Sequence, residues 1–192
     1  MIEKQLVEDF LIRLYFDKKQ GFYKAGLKRA YLDFNRTLKN NNTQIERNSI
    51  QGKTLEFLEN ELKNLIKNDF ENQTEFDFEH KKLCEKLKTQ WNELSFGQCQ
   101  KWINMTLKYW LVFGDEKIKS ISKNYKYFHI PIDSYVQKGM FGEKNPKPWS
   151  KISEYGDYFR YQIEFRERHE TEIPIEYEFD FFNNAELFRR TT

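Results

Sequence analysis

Apolar positions recur at helical spacing along most of the chain. In residues 4–16, KQLVEDFLIRLYF, Leu6, Phe10 and Leu14 fall at i, i+4 and i+8 with Leu11 and Tyr15 beside them, which predicts an amphipathic helix. Residues 18–21 interrupt the pattern. Phe22, Leu27, Ala30, Tyr31, Phe34 and Leu38 then carry a second helix over 22–38. The polar run Lys39-Asn40-Asn41-Asn42-Thr43 reads as a loop. The clearest periodicity follows in 54–70, where Leu55, Leu58, Leu62, Leu65 and Ile66 share one side and Glu and Lys the other. After a connector at 69–74, residues 76–94 form a fourth stripe through Phe78, Leu83, Leu87, Trp91 and Leu94. The charged residues opposite these stripes are expected to be solvated faces.

Residues 95–136 depart from that pattern. A Gly-containing turn, SFGQCQK, leads into a helix over 98–113. There Cys99, Ile103, Leu107 and Leu111 form one stripe, and Trp102, Trp110 and Phe113 an adjacent one. A helix apolar over so much of its girth is expected to be buried. Lys101, Asn104 and Lys108 share what remains, at i, i+3 and i+7. Lys101 falls in the first turn, where the helix dipole opposes a cation. A partly desolvated lysine there would have a lowered pKa, and a neutral amine is a nucleophile; equally, such a lysine can simply reach solvent or a phosphate. Ile130-Pro131-Ile132-Asp133 opens the next short helix: Pro131 keeps the approach extended, and Asp133 takes the N-cap position before Ser134-Tyr135-Val136. One helix out and a loop back can bring Lys101 and Asp133 to the same end of a helical pair. The segment 173–181, IPIEYEFDF, alternates as an edge strand would, yet Pro174 and the acids suit a helix start; a short final helix is expected.

Composition narrows the class. With 32% charged and 17% aromatic residues, the 192-residue chain is neither disordered nor a membrane protein. Acidic residues in MIEKQLVEDF replace the basic start of a signal peptide, so a cytoplasmic location is expected. Cys84 and Cys99 lack CxxC spacing, the three histidines are scattered, and no Gly-rich phosphate loop occurs; neither a metal nor a cofactor is expected. The net charge of +2 hides an asymmetry. Residues 117–151 contain eight lysines and two acids, whereas the chain turns acid-rich from Glu164. Tyr125, Tyr127, Phe128, Tyr135, Phe141 and Trp149 lie among those lysines. Lysines hold phosphates and aromatic faces stack bases, which makes nucleic acid a candidate partner.

A turn, a lysine-headed helix and then a Val-Pro-Val-Asp-like segment capping the next helix resemble the helix-hairpin-helix DNA glycosylases. The nearest resemblance is to the archaeal 8-oxoguanine DNA glycosylase branch, carried by Gly97, Lys101 and the IPID segment 130–133, with WSKISEYGDYFRYQIEFRER (149–168) as a closing helix. The resemblance implies an all-α, two-lobed helical bundle with a helix-hairpin-helix-like element and an interlobe cleft. Roughly eight or nine helices would form one compact domain over 1–192, with sub-lobes 1–94 and 95–192. It implies a monomer that excises a damaged or modified base flipped out of duplex DNA, either in repair or in defence against modified phage DNA. Lys101 would form a Schiff base and could add abasic-site lyase activity, while Asp133 would stabilise the cationic sugar. Gly97, Gln98, Asn104, Lys108, Phe128, His129, Ser134 and Trp149 would contact DNA or the base. Two other readings suit the residues: a non-catalytic nucleic-acid-binding module in which Lys101 meets phosphate and Asp133 only caps, and a protein-interaction adaptor using the aromatic-rich C-terminal third.

Overall fold

The computed structural model describes residues 3–38 and 43–184, so the loop expected at 39–43 lies outside it except for Thr43. The described residues form an all-α structure without strands. Its helices are α1 (Lys4–Tyr15), α2 (Phe22–Phe34), α3 (Gln44–Lys67), α4 (Gln73–Gln90), α5 (Phe96–Phe113), α6 (Ser134–Gly139), α7 (Tyr155–Arg168) and α8 (Pro174–Asn184), with short 3-10 turns at 35–37, 121–123, 125–127 and 149–151. None of the described helices is long and apolar enough to cross a membrane.

Capping chemistry moves two helix starts ahead of their apolar stripes. α3 begins at Gln44 rather than near Thr54 because Thr43 and Glu46 form a capping box: Thr43 N–H donates to Glu46 Oε2 at 2.9 Å, and Glu46 N–H to Thr43 Oγ1 at 3.3 Å. The same device acts at α5. Ser95 Oγ accepts from Gln98 N–H at 3.1 Å, and Gln98 Oε1 accepts from Ser95 N–H at 2.9 Å. The stretch 95–100 expected as a turn is therefore the N-cap and opening of α5, and the connection from α4 lies just before it, at 91–95.

α5 is the central element. Of its residues only Phe96, Leu111 and Val112 are not buried. It packs against α2, α4 and α7. α2 comes close because Gly26 has no side chain: a Cβ there would stand 2.6 Å from Trp110 Cδ1. The indoles of Trp102 and Trp110 donate to the carbonyls of Leu27 and Tyr23 at 3.1 and 3.0 Å, so both rings are buried without orphaning their N–H groups. Fully buried rings and branched side chains each contribute on the order of 1.5–3 kcal/mol by leaving water. The buried apolar residues, from Phe16 to Ile175, form one cluster. α8 begins with Pro174 at its first helical position, where a missing N–H costs nothing.

Candidate active site

Two glutamines build the site by holding a strip of extended backbone. Gln100, on α5, donates from Nε2 to Ile132 O at 2.8 Å and accepts from Ile132 N–H at 3.1 Å. Gln162, on α7, treats Ile130 the same way, at 2.8 and 3.0 Å. Each amide supplies the donor and acceptor that a neighbouring strand would offer. Pro131 lies between the two clamped residues and needs no donor partner. Lys101 follows Gln100 directly, and Asp133 follows Ile132 directly, so the first clamp also sets the distance between them. Lys101 Nζ donates to Asp133 Oδ2 at 2.7 Å.

Asp133 is fully engaged. Its Oδ1 accepts from Tyr135 N–H at 2.9 Å and Val136 N–H at 3.0 Å, which caps α6, while Oδ2 faces Lys101. Burial alone would raise this carboxyl; the Lys101 ammonium and the two backbone donors outweigh burial and hold it below the usual carboxylate range. Lys101 is sixth in α5 rather than in its first turn, because the helix starts at Phe96. The dipole argument for this residue is correspondingly weakened. Its side chain is 7% exposed, and that of Asp133 20%.

The pair opens into a cavity of about 360 Å³ lined by α5, α2, α8 and the end of α1. That size suits small-molecule sites, which run from roughly 300 to 1,000 Å³. Met105, Lys108, Tyr109 and Val112 continue the face of α5 that begins at Lys101. From α8, Glu178 pairs with Lys108, and the Lys108 ammonium sits over the rings of Phe179 and Phe182 at 4.6 and 4.7 Å. Burial lowers the Lys108 pKa, with Glu178 opposing. Across the cavity, Tyr109 O–H donates to Asp33 Oδ2 at 2.6 Å, and Arg29 lies 3.6 Å from Asp33 Oδ1. Burial raises the Asp33 carboxyl above its ordinary value, against the pull of Tyr109 and Lys101. Arg36, Tyr135, Tyr15 and Asn183 complete the lining and are exposed.

Of the residues that the resemblance assigns to DNA or base contact, only Lys108 lines this cavity. Ser134 is exposed beside Asp133, at the start of α6. Gly97 serves packing: a Cβ there would lie 1.8 Å from the Trp149 carbonyl oxygen, and its N–H donates to Ile152 O at 3.1 Å. Gln98 is occupied by the capping box and by Thr37, whose carbonyl and hydroxyl it reaches at 3.1 and 2.9 Å. Trp149 is 9% exposed, and Phe128, 1% exposed, packs on Phe76 and offers no ring face to a base.

Asn104 and His129 belong instead to a buried polar network. Asn104 Oδ1 meets His80 Nε2 at 2.9 Å, and its Nδ2 donates to Tyr158 O–H at 2.9 Å. His129 bridges Tyr158 at 2.8 Å and Asp77 at 2.7 Å, and Arg166 donates twice to Asp77 at 2.7 and 2.9 Å. Burial pushes His129 down to about 4, so its contact with Asp77 is a hydrogen bond from a neutral imidazole rather than an ion pair. A second hollow of about 720 Å³ borders this network between α4 and α7, with Asp77 and Arg166 on its wall, but both Asp77 oxygens are already bound. Cys84 and Cys99 are buried thiols raised by burial, Cys99 to about 12. Among the described residues, no three His, Cys, Asp or Glu side chains are grouped to hold a metal ion.

No protein-family profile, curated protein or solved structure matches the chain. Sequence reasoning found the Lys101–Asp133 pair and missed most of its surroundings. Met105 and Tyr109 could have been found by continuing from Lys101 at i+4 and i+8. Asp33, Arg36, Glu178, Phe179 and Phe182 reach the cavity through tertiary packing, which leaves no local signal.

Proposed function

We propose that the protein is a DNA glycosylase with abasic-site lyase activity, acting on a damaged or modified base. The observation that carries this reading is the 2.7 Å contact between Lys101 Nζ and Asp133 Oδ2 at the edge of a cavity. Breaking an N-glycosidic bond leaves positive charge on the sugar, and a fixed carboxylate in a low-dielectric site stabilises it. Asp133 suits that role: its cap bonds orient it, and its surroundings keep it ionised. Lys101, once neutral, attacks C1′ and goes on to a Schiff base. The flipped base would occupy the cavity, against the exposed rings of Tyr135 and Phe182 on its wall.

The test is borohydride trapping on duplex DNA carrying 8-oxoguanine, other damaged bases or modified cytosines. Wild type is expected to form a covalent adduct on one of these. Lys101→Ala should abolish the adduct, and Asp133→Asn should slow its formation about 100-fold or more. Uncut, untrapped DNA with folded variants would favour the second reading, a non-catalytic nucleic-acid-binding module. The observation behind that reading is the surface placement of Lys119, Lys138, Lys144 and Lys151. Binding of that kind should weaken steeply with salt.

A further inference from the structure

The glycosylase reading leaves one proton unassigned. Lys101 donates to Asp133, and an ammonium cannot attack a sugar. Asp133 is a poor acceptor for that proton, because it must remain anionic opposite the cationic sugar, and three donors already stabilise its charge. Another base is needed within reach of the same cavity.

We propose that Asp33 is that base, taking the proton from Lys101 Nζ before attack and handing it to the departing nucleobase. The inference rests on the glycosylase reading. Two further carboxylates line the cavity that holds Lys101 and Asp133; Glu178 is taken up by Lys108 and its side chain is only 4% exposed, which leaves Asp33, with a side chain 17% exposed. Its position is fixed by Tyr109 at 2.6 Å and by Arg29, which in turn is bonded to Tyr15 O–H at 2.6 Å. Lys101 and Asp133 both act on Asp33 electrostatically, the first favouring its charged form and the second opposing it. The titratable and charged groups that act on Asp33 are Tyr109, Lys101, Arg29 and Asp133, and Tyr15, Arg36, Lys108 and Glu178 line the same cavity. Burial raises Asp33 and holds Asp133 less firmly than its donors lower it, so of the two carboxylates Asp33 is the one suited to accept a proton.

The step balances. Lys101–NH3+ and Asp33–COO− become Lys101–NH2 and Asp33–COOH. The amine forms a bond to C1′ as the glycosidic C1′–N bond breaks and the base leaves with the electron pair. Asp33–COOH protonates the base and returns to the carboxylate. The amine, now bonded to C1′, passes a proton to O4′ as the C1′–O4′ bond opens, giving the Schiff base.

The experiment measures the single-turnover rate of borohydride trapping against pH, on the DNA that wild type processes. Wild type should level off above the pKa of Asp33. Asp33→Asn should be at least tenfold slower at pH 7 and rise about tenfold per pH unit toward pH 9, because solution base must now free the amine. Asp33→Glu should restore the plateau. Tyr109→Phe removes a hydrogen bond that lowers the Asp33 pKa, so the bend in the profile should move to higher pH. An Asp33→Asn profile parallel to wild type would overturn the proposal, as would an unmoved bend in Tyr109→Phe if Asp33→Asn does not fold. A wild type that forms no Lys101-dependent adduct on any of the DNAs would overturn the glycosylase reading itself, and this inference with it.

Discussion

Asp33 and Asp133 show how surroundings shift one residue type in opposite directions. Asp133 is half-buried yet held low by a lysine and two backbone donors, whereas Asp33 is half-buried beside a phenol and a more distant guanidinium and is raised. Separation of this kind marks sites of acid–base chemistry, although structural ion pairs produce it too, and for that reason kinetics against pH is the proper test. At the same scale, Gly97 is a packing residue. Placing a methyl group 1.8 Å from the Trp149 carbonyl forces the backbone of one segment to move. Gly97→Ala should therefore destabilise the protein by about 1–3 kcal/mol or more, read as a lower urea midpoint. Because α5 would shift against the 149–152 segment, adduct formation should fall as well.

At the scale of elements, the two glutamine clamps make separable predictions. Gln100→Leu leaves Ile132 N–H and C=O without their partners and frees the residue next to Asp133. Gln162→Leu does the same to Ile130, farther from the carboxylate. Each should cost about 1–3 kcal/mol in a urea titration. Gln100→Leu should also cut the trapping rate at least tenfold, with Gln162→Leu affecting it less. Helix identity was legible in the sequence because periodicity is a local property: α1, α2, α4, α5 and the Asp133 cap could all be read from spacing. Burial was not. Leu6, Phe10 and Leu14 predict α1 correctly, yet they are 56–68% exposed together with Leu11. The starts of α3 and α5 are written as Thr43-x-x-Glu46 and Ser95-x-x-Gln98, polar signals to which hydrophobic periodicity is blind. Lys101 and Asp133 stood out because a lysine on an apolar helix and an acid after Ile-Pro-Ile are locally unusual. Glutamines 100 and 162 look ordinary, and only the fold gives them their role.

For the whole molecule, the buried histidines set acid tolerance. His129 has a folded-state pKa of about 4 against roughly 6.5 in an unfolded chain, so the fold binds fewer protons. Its contribution is complete above pH 6.5 and is lost as pH falls toward 4, on the order of 3 kcal/mol. His80 shifts in the same direction, through burial and the neighbouring His129. Urea midpoints should accordingly drop between pH 7 and pH 4, and His129→Gln should flatten that slope; equal midpoints across the range would mean that the imidazoles are not buried as neutral groups. The Gln100 clamp has a consequence of another kind. It joins residues 32 apart in sequence, and the helix on one side of it must be docked before the other side can be held. A nascent or half-collapsed chain therefore has its lysine and its aspartate but not the contact between them. On the proposed glycosylase function, reactivity toward sugars would be withheld until both sides of the clamp have docked, and the trapping reaction would double as an assay for correctly folded molecules.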